Sequence, residues 1–216
     1  MAARRRAVKL VLASNNANKL AELQALFAGL AVELVTQGSL GIAEADEPHH
    51  SFIENALAKA RHAAQASGLP AIADDSGLCV AALGGAPGVQ SAHYAGEVAA
   101  EGDREARRRA QDAANNARLL REMAGRADRG ARFVSTLVAL RHAADPEPLI
   151  ASGRWEATLL DAARGKGGFG YDPLVWIDAL GASVAELGAE QKNALSHRAL
   201  AAAQMRVLMR EAWALG

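Results

Sequence analysis

The sequence predicts an α/β fold in which a mixed central sheet is flanked by helices. Near the N-terminus an apolar, β-rich segment runs directly into a segment with helical spacing of its apolar residues. Two further β-rich segments, 132–141 and 149–160, lie close enough in sequence to form a hairpin, and a long helix follows from about Ser196. Because the 216 residues contain neither a repeat nor a low-complexity linker, we expect one continuous domain, 1–216, with two lobes about a substrate cleft.

The N-terminal part alternates apolar segments with residues that cap helices. The predicted elements are a strand over 8–13, a helix capped by Asn15 or Asn16, a loop over 31–50, a helix from Ser51 to Gly68 and a short strand over 70–73. Ser51 and Glu54 have the spacing of a capping box. The segment from Asp74 to Gly77 is expected to break the strand before an apolar run resumes.

The remaining segments alternate in the same way. We predict a loop over 84–88, a helix over 103–124 capped by Asp103, the hairpin, a strand over 174–177 and a turn of helix near 184–187. The glycines of 165–170 match the spacing of a dinucleotide-binding turn, but such a turn must open a helix. Here an apolar, β-rich run follows Pro173, so we reject a Rossmann fold. The glycines then predict a flexible turn with Phe169 at its centre that lets backbone amides approach a ligand, and a tight hairpin turn with a core phenylalanine is the alternative.

Composition excludes several classes of function. Lys and Arg together number 24, as do Asp and Glu, so the chain lacks the basic surplus of duplex-binding proteins and we expect no nucleic-acid partner. No apolar run approaches the ~20 residues that span a bilayer, so we expect no membrane partner. The single cysteine, Cys79, excludes an internal disulfide and predicts a cytoplasmic location. Arg4-Arg5-Arg6 is expected to be a frayed basic end.

Lysine is rare in this chain. Only five of the 24 basic residues are lysines, which makes each of them a candidate for a specific role. They are Lys9, Lys19, Lys59, Lys166 and Lys192. Lys19 lies in the first turn of a predicted helix that follows a strand, where exposed backbone N–H groups favour binding of an anion. A capped helix with a solvated lysine explains the same residues.

Asp74 and Asp75 interrupt an apolar stretch. Burying unpaired carboxylates is costly, so a metal or a cationic side chain is the natural partner, although a solvent-facing turn is the alternative. The chain has no cluster of His and Cys with zinc spacing, whereas Mg²⁺ takes one or two carboxylates together with water and substrate phosphate. A further cluster, 192–198, places His197 and Arg198 in the first turn of the last helix, where an ordinary capped helix is again the alternative.

Six segments occur in an order that is specific to one group of enzymes. They are 12–23, 51–60, 71–78, 83–96, 167–173 and 192–198. With these segments the chain resembles the inosine triphosphate pyrophosphatase family in its bacterial form, the XTP/dITP diphosphatases. It departs from the family pattern at Pro48-His49-His50, at His93, where many members have arginine, and at Lys166, where a small residue is common.

The resemblance implies hydrolysis of XTP, ITP and dITP to the monophosphate and pyrophosphate, by a Mg²⁺-dependent homodimer that cleanses the nucleotide pool. It implies that Asp75 is the proton acceptor and a metal ligand, and that Asp46 or Glu47 is a second metal ligand. The implied phosphate contacts are Ser14, Asn15, Asn16, Ala17, Asn18 and Lys19. The other implied substrate contacts are Ser76, Phe169, Gly170, Tyr171, Asp172, Lys192, His197 and Arg198.

The base contacts suggest how purines are selected. Phe169 can stack on a purine, and Arg198 can donate a hydrogen bond to a 6-keto oxygen. ATP has an amino group at that position, so two hydrogen-bond donors would face each other without an acceptor. Two other functions fit parts of the sequence: a Maf-like pyrophosphatase that acts on pyrimidine or modified nucleotides, and a non-catalytic nucleotide-binding module.

Overall fold

The computed structural model describes residues 7–215, so the expectation for Arg4-Arg5-Arg6 lies outside the described residues. The strands are β1 (Val8–Leu12), β2 (Val32–Thr36), β3 (Ala71–Val80), β4 (Gly130–Leu140), β5 (Leu149–Leu159), β6 (Val175–Ile177) and β7 (Ala182–Ser183). The α-helices are α1 (Ala17–Leu26), α2 (Phe52–Ser67), α3 (Arg104–Met123), α4 (Ala189–Leu195) and α5 (His197–Trp213). Within 7–215 none of the helices combines the length and the apolar composition needed to cross a bilayer.

The strands form one seven-stranded sheet in the order β2-β1-β3-β4-β5-β6-β7. Strand β1 pairs in parallel with β2 and with β3, so that Val11 lies opposite both Val35 and Ala71. Strand β6 is antiparallel to β5 and to β7, with Trp176 opposite Thr158 and Ser183. The sheet is therefore mixed, and with its flanking helices it confirms the predicted fold class.

Strand β1 is buried on both faces. Leu12 packs in one hydrophobic cluster with Leu23 of α1 and Met205 of α5, whereas Val11 packs in another with Ala60 of α2. Successive side chains of a strand point to opposite faces, so a strand between two layers of helix needs apolar residues at every position. This requirement explains the apolar residues 10–12, which follow the exposed Lys9 and made β1 predictable.

The chain divides into two compact units. The first comprises residues 7–75, 135–153 and 196–215, and the second comprises 76–134 and 154–195. The second unit has its own hydrophobic core, which includes Leu78, Leu119, Trp155 and Val175. The two units correspond to the two predicted lobes, whereas the substrate cleft and the single-domain assignment of 1–216 remain predictions.

Most helices begin where the sequence predicts. Three predicted caps accept hydrogen bonds from backbone N–H groups in the first turns of their helices: Asn16, Asp103 and Ser196. Ser51 caps α2 and also donates its hydroxyl to the Glu54 carboxylate, and α2 ends at Gly68, whose φ of 66° is left-handed. The helix over 103–124 and the strands over 132–141, 149–160 and 174–177 are present as α3, β4, β5 and β6.

Two predictions for strands β2 and β3 were wrong. Residues 31–50 are not all loop, because β2 lies there and pairs with β1 over five residues. This edge strand is only partly buried and lacks a clear alternation of apolar and polar residues, so hydrophobic periodicity did not predict it. The segment from Asp74 to Gly77 does not break β3, because Asp74 finds buried partners and Gly77 lets the strand pass close to the carbonyl of Gly88.

In the second unit, α4 and β7 were not predicted, since each is short. The glycines of 165–170 lead into a 3-10 helix at Asp172–Leu174 and then into β6. Because these glycines do not open an α-helix, the rejection of a Rossmann fold is confirmed.

The loop between β4 and β5 is organised by Asp145. Its carboxylate accepts hydrogen bonds of 2.9 Å from the backbone N–H, Nε and Nη2 of Arg141, and one of 3.0 Å from the backbone N–H of Glu147. The hydrogen bond from the Arg141 side chain, the main cause, lowers the pKa of the Asp145 carboxyl below its ordinary value.

We expect Asp145→Asn to lower the free energy of unfolding at neutral pH by about 1–2 kcal/mol, because the ion pair is partly screened by solvent. The pKa of this carboxyl is lower in the folded chain than its value of about 3.9 in an unfolded chain. The difference in the free energy of unfolding between wild type and variant therefore has its full size above about pH 4 and disappears as the pH falls further. Urea titrations at several pH values, with the exposed Glu147→Gln as control, test this; a difference that stays constant on acidification contradicts it.

Candidate active site

Asp74 of β3 organises a buried cluster of charges in the first unit. It is 1% exposed, and its Oδ2 lies 2.8 Å from Nζ of Lys19 and 3.0 Å from Nη2 of Arg198. Its Oδ1 accepts a hydrogen bond of 2.6 Å from the Ser135 hydroxyl. Burial opposes ionisation of this carboxyl, but the charges of Arg198 and Lys19 outweigh it and hold the pKa of Asp74 well below its usual range. The cluster places an ammonium group at the start of α1.

The turn from β1 into α1 is fixed by three side chains predicted to contact phosphate. The Ser14 hydroxyl accepts from the backbone N–H of Asn16 at 3.2 Å, and the Asn15 side chain accepts from that of Gly38 at 2.8 Å. Asn16 Oδ1 accepts from two N–H groups, those of Asn18 and Lys19, at 3.0 and 3.2 Å. Because the Asn16 cap already uses these N–H groups, a phosphate at this turn would depend more on the Lys19 side chain than the sequence suggests.

Asp75 is the centre of a second cluster in the same unit. Nζ of Lys59, on α2, lies 2.8 Å from Oδ1 of Asp75 and 3.0 Å from Oε2 of Glu47. The other carboxylate oxygen of Asp75, Oδ2, is buried and has no hydrogen-bond partner among residues 7–215. Burial raises the pKa of Asp75 to about 6, although the charge of Lys59 opposes the shift. Asp75 is thus a buried carboxylate with one oxygen held and the other available.

The role of Lys59 was not predicted from the sequence. Burial disfavours its charge, but Asp75 and Glu47 outweigh that effect and raise the pKa of the Lys59 ammonium group. Its neighbours on α2 offer the signal that could have found it: Ala56, Ala60 and Ala63 are fully buried, and Lys59 is itself only 8% exposed. A lysine on a helix face otherwise lined with alanines must be paired with an acid.

The two alternatives for a second metal ligand, Asp46 and Glu47, differ in their contacts. Asp46 and Glu47 are both exposed, but Glu47 shares Lys59 with Asp75, whereas Asp46 makes no hydrogen bond within the described range. In the same range no three side chains of His, Cys, Asp or Glu gather as a metal site. Metal binding by Asp75 together with Asp46 or Glu47 therefore remains a prediction. Two carboxylates are nevertheless enough for Mg²⁺ when substrate and water supply the other ligands. The unpartnered Oδ2 of Asp75 fits a hard cation, which would replace its missing hydrogen bond.

In the second unit the predicted base contacts surround the glycine-rich turn. Asp172 Oδ2 accepts from the backbone N–H of Phe169 and from Nζ of Lys192, both at 2.9 Å. The same Nζ lies 4.3 Å from the centre of the Phe169 ring. Gly168 is required here, because a Cβ at that position would lie 2.2 Å from the Asp172 carboxylate and its φ is +71°. The structure therefore brings Phe169, Asp172 and Lys192 together as predicted.

Tyr171 and Ser76 differ from the other predicted contacts of the second unit. The Tyr171 side chain belongs to the hydrophobic core, and its hydroxyl donates to the carbonyl of Ser91 at 2.9 Å. Ser76 lies half-buried within β3. Substrate contacts by these two residues remain predictions.

His197 and Arg198 lie in the first turn of α5, in the first unit. The carbonyl of His197 packs so closely on β5 that a Cβ at Gly153 would lie 2.0 Å from it. The guanidinium of Arg198 binds Asp74 and also donates to the Glu22 carboxylate, and the residue is 2% exposed. Donation from Arg198 to a purine therefore remains a prediction that requires the guanidinium to share its donors or move.

Known proteins resemble this chain over almost its whole length. The model of the Ham1 family matches residues 10–208. The chain is 69% identical to a dITP/XTP pyrophosphatase of Methylibium petroleiphilum, over 95% of this chain and 99% of that protein. It is 71% identical to a dITP/XTP pyrophosphatase of Leptothrix cholodnii, over 96% of this chain and 100% of the relative. A solved Ham1 protein from Coxiella burnetii matches with a TM-score of 0.84 and 40% identity, over 94% and 99% of the two chains.

Proposed function

The chain belongs to the Ham1 family, and on that premise we propose that it hydrolyses the non-canonical purine nucleoside triphosphates XTP, ITP and dITP to the monophosphate and pyrophosphate. The observation that carries the proposal is the Asp75 carboxylate, which has one oxygen held by Lys59 and the other buried without a partner. We further propose that it acts as a Mg²⁺-dependent homodimer in the cytoplasm, without nucleic acid, and cleanses the nucleotide pool. Light scattering tests the dimer.

Lys19 and the start of α1 bind the triphosphate. Asp74 holds the Lys19 ammonium group in a fixed position, so that little reorganisation is needed when phosphate arrives. Burial lowers the pKa of Lys19, while the charge of Asp74 opposes that shift and favours the ammonium form. Lys59 adds a second positive charge, and together the two lysines offset the negative charge that develops on the leaving pyrophosphate.

Asp75 orients the attacking water and accepts its proton. The water oxygen forms a bond to the α-phosphorus while the bond from this phosphorus to the bridging oxygen breaks, and pyrophosphate leaves with the electron pair. A base with a pKa of about 6 is mostly ionised at neutral pH and still accepts a proton effectively. Lys59 restrains Oδ1, which leaves Oδ2 for the water or the metal. Glu47 and Asp75 would hold Mg²⁺, which supplies positive charge to the phosphate oxygens.

The turn at Phe169 binds the base. Phe169 is half-buried, and we expect a purine to stack on its aromatic ring. Asp172 fixes the backbone N–H of Phe169 and also holds Lys192 close to the ring. The base contact is therefore made by a side chain whose backbone and neighbouring cation are both restrained.

The choice between Glu47 and Asp46 is tested by a matched pair of variants. We expect Glu47→Gln to raise the Mg²⁺ concentration needed for half-maximal turnover of dITP by at least about tenfold, because a neutral amide is a poorer ligand for a hard cation. Asp46→Asn removes a neighbouring exposed carboxylate and should leave the Mg²⁺ titration near that of the wild type. A larger shift in Asp46→Asn than in Glu47→Gln contradicts the assignment.

The proposed substrate class is tested by ranking kcat/KM over a panel of triphosphates. We expect dITP and XTP to be preferred over dATP, dGTP, dTTP and UTP. A preference for dTTP or UTP would support the Maf-like alternative. Calorimetric binding of dITP without any turnover would support a non-catalytic binding module.

A further inference from the structure

Helix α3 presents three polar side chains to the turn that carries Phe169. Arg108, Asp112 and Asn116 follow one another at intervals of four residues and therefore lie on one face of the helix. Each of them contacts either Phe169 or Gly170. All five residues belong to the second unit. None of the three helix residues is accounted for by the proposed reaction, which leaves their joint contact with one turn unexplained.

Two of the three side chains hold the backbone of Gly170 from both sides. Its N–H donates to Oδ2 of Asp112 at 2.9 Å, and its carbonyl accepts from Nδ2 of Asn116 at 3.0 Å. Gly170 has a φ of +62°, a left-handed conformation that favours glycine. Because both polar groups of this residue are engaged, the chain direction immediately after Phe169 is set by α3.

The third side chain acts on the Phe169 ring itself. The guanidinium carbon of Arg108 lies 4.8 Å from the ring centre, and Nζ of Lys192 lies 4.3 Å from it. Cations at these distances are attracted to the negative face of an aromatic ring. Arg108 therefore restrains the ring plane on which a purine would stack, in addition to the backbone restraint from Asp112 and Asn116.

Helix α3 is a firm support for such a restraint. Leu119 and Met123 are fully buried in the core of the second unit. Asn115, 2% exposed, donates to the carbonyls of Ser91 and Ala92 and accepts from the backbone N–H of Ala95. A site residue is positioned well when the residues behind it are themselves held by packing and hydrogen bonds.

We propose that Arg108, Asp112 and Asn116 are positioning residues for base recognition, which hold the Phe169 turn in the conformation that binds a purine. This inference rests on the proposed function and extends it to α3, a helix that contains none of the predicted substrate contacts. The three residues act through Phe169 and Gly170 rather than by touching the substrate. They should therefore affect binding of the base and leave binding of the phosphates unchanged.

The experiment compares two products of the proposed reaction as probes. Calorimetry measures the Kd of dIMP, which contains the base, and the Kd of pyrophosphate, which does not. We expect Asp112→Ala and Arg108→Gln each to weaken dIMP binding by about tenfold while the Kd of pyrophosphate stays unchanged. The matching change in kinetics is a higher KM for dITP with little change in kcat.

Two control variants distinguish a positioning role from a general disruption of the structure around α3. Asp112→Asn keeps an oxygen that accepts from Gly170, and Arg109→Gln removes an exposed neighbouring arginine, so both should bind dIMP like the wild type. Unchanged dIMP binding in Asp112→Ala and Arg108→Gln, or an equal loss of pyrophosphate binding, overturns the inference while dITP turnover by the wild type upholds the proposed function. Failure of the wild type to hydrolyse dITP overturns both.

Discussion

Asp75→Asn is expected to lower kcat for dITP by about 10²- to 10⁴-fold, which is the range for loss of a general base. The amide has nearly the same shape as the carboxylate, but it does not accept a proton at neutral pH. Its oxygen can still accept the hydrogen bond from Lys59, so the packing around β3 should persist. The loss should therefore appear in turnover rather than in folding.

The measurement is kcat at saturating Mg²⁺ and dITP, accompanied by a thermal unfolding curve of each protein. Asp46→Asn is the matched control. It makes the same change from carboxylate to amide, but at an exposed residue that has no role in the proposed proton transfer. The control should keep a near-normal rate. A near-normal rate in Asp75→Asn as well would remove Asp75 from the proposed mechanism.

Asp74→Ala is expected to have the largest effect on stability, a loss of about 3–5 kcal/mol in the free energy of unfolding. The substitution leaves Lys19 and Arg198 without the buried carboxylate that compensates both charges. It also leaves the Ser135 hydroxyl without its acceptor. Removal of one partner from a buried ion pair is costly because the remaining charge stays desolvated.

A double variant distinguishes this cause from simple loss of packing. Combining Asp74→Ala with Lys19→Met removes one of the stranded charges, so the combined loss should be smaller than the sum of the two single losses. Asp161→Ala is the surface control, because its side chain is 95% exposed, and it should change stability by less than about 0.5 kcal/mol. Additive losses in urea unfolding would contradict the buried-charge explanation.

Local features of the fold could be predicted from the sequence because their causes are local. The cap Asn16 accepts hydrogen bonds from residues two and three positions away, and β1 shows its burial on both faces as three consecutive apolar residues, 10–12. Strand β2 could not be seen in the same way, since an edge strand with partly buried residues carries no strong pattern.

The sequence pointed to candidate residues of the site but not to the pairs of residues that contact one another. For Asp74 and Asp75 the sequence left a metal or cationic partner and a solvent-facing turn as alternatives. The structure buries both residues and supplies Lys19 and Arg198 for the first and Lys59 for the second. Arg198 lies 124 residues from Asp74, a separation at which one sequence gives no pairing signal. The hydrogen bonds of Asp112 and Asn116 with Gly170 join residues more than 50 positions apart, so they could not be predicted for the same reason.

Attack of water on the α-phosphorus is tested by identifying the phosphorus products of dITP hydrolysis in water enriched in the heavy oxygen isotope. Phosphorus NMR distinguishes pyrophosphate from orthophosphate and shows which product carries the label. Attack on the α-phosphorus predicts dIMP that contains the heavy isotope and pyrophosphate that does not. Release of orthophosphate, or label in pyrophosphate, would contradict the account.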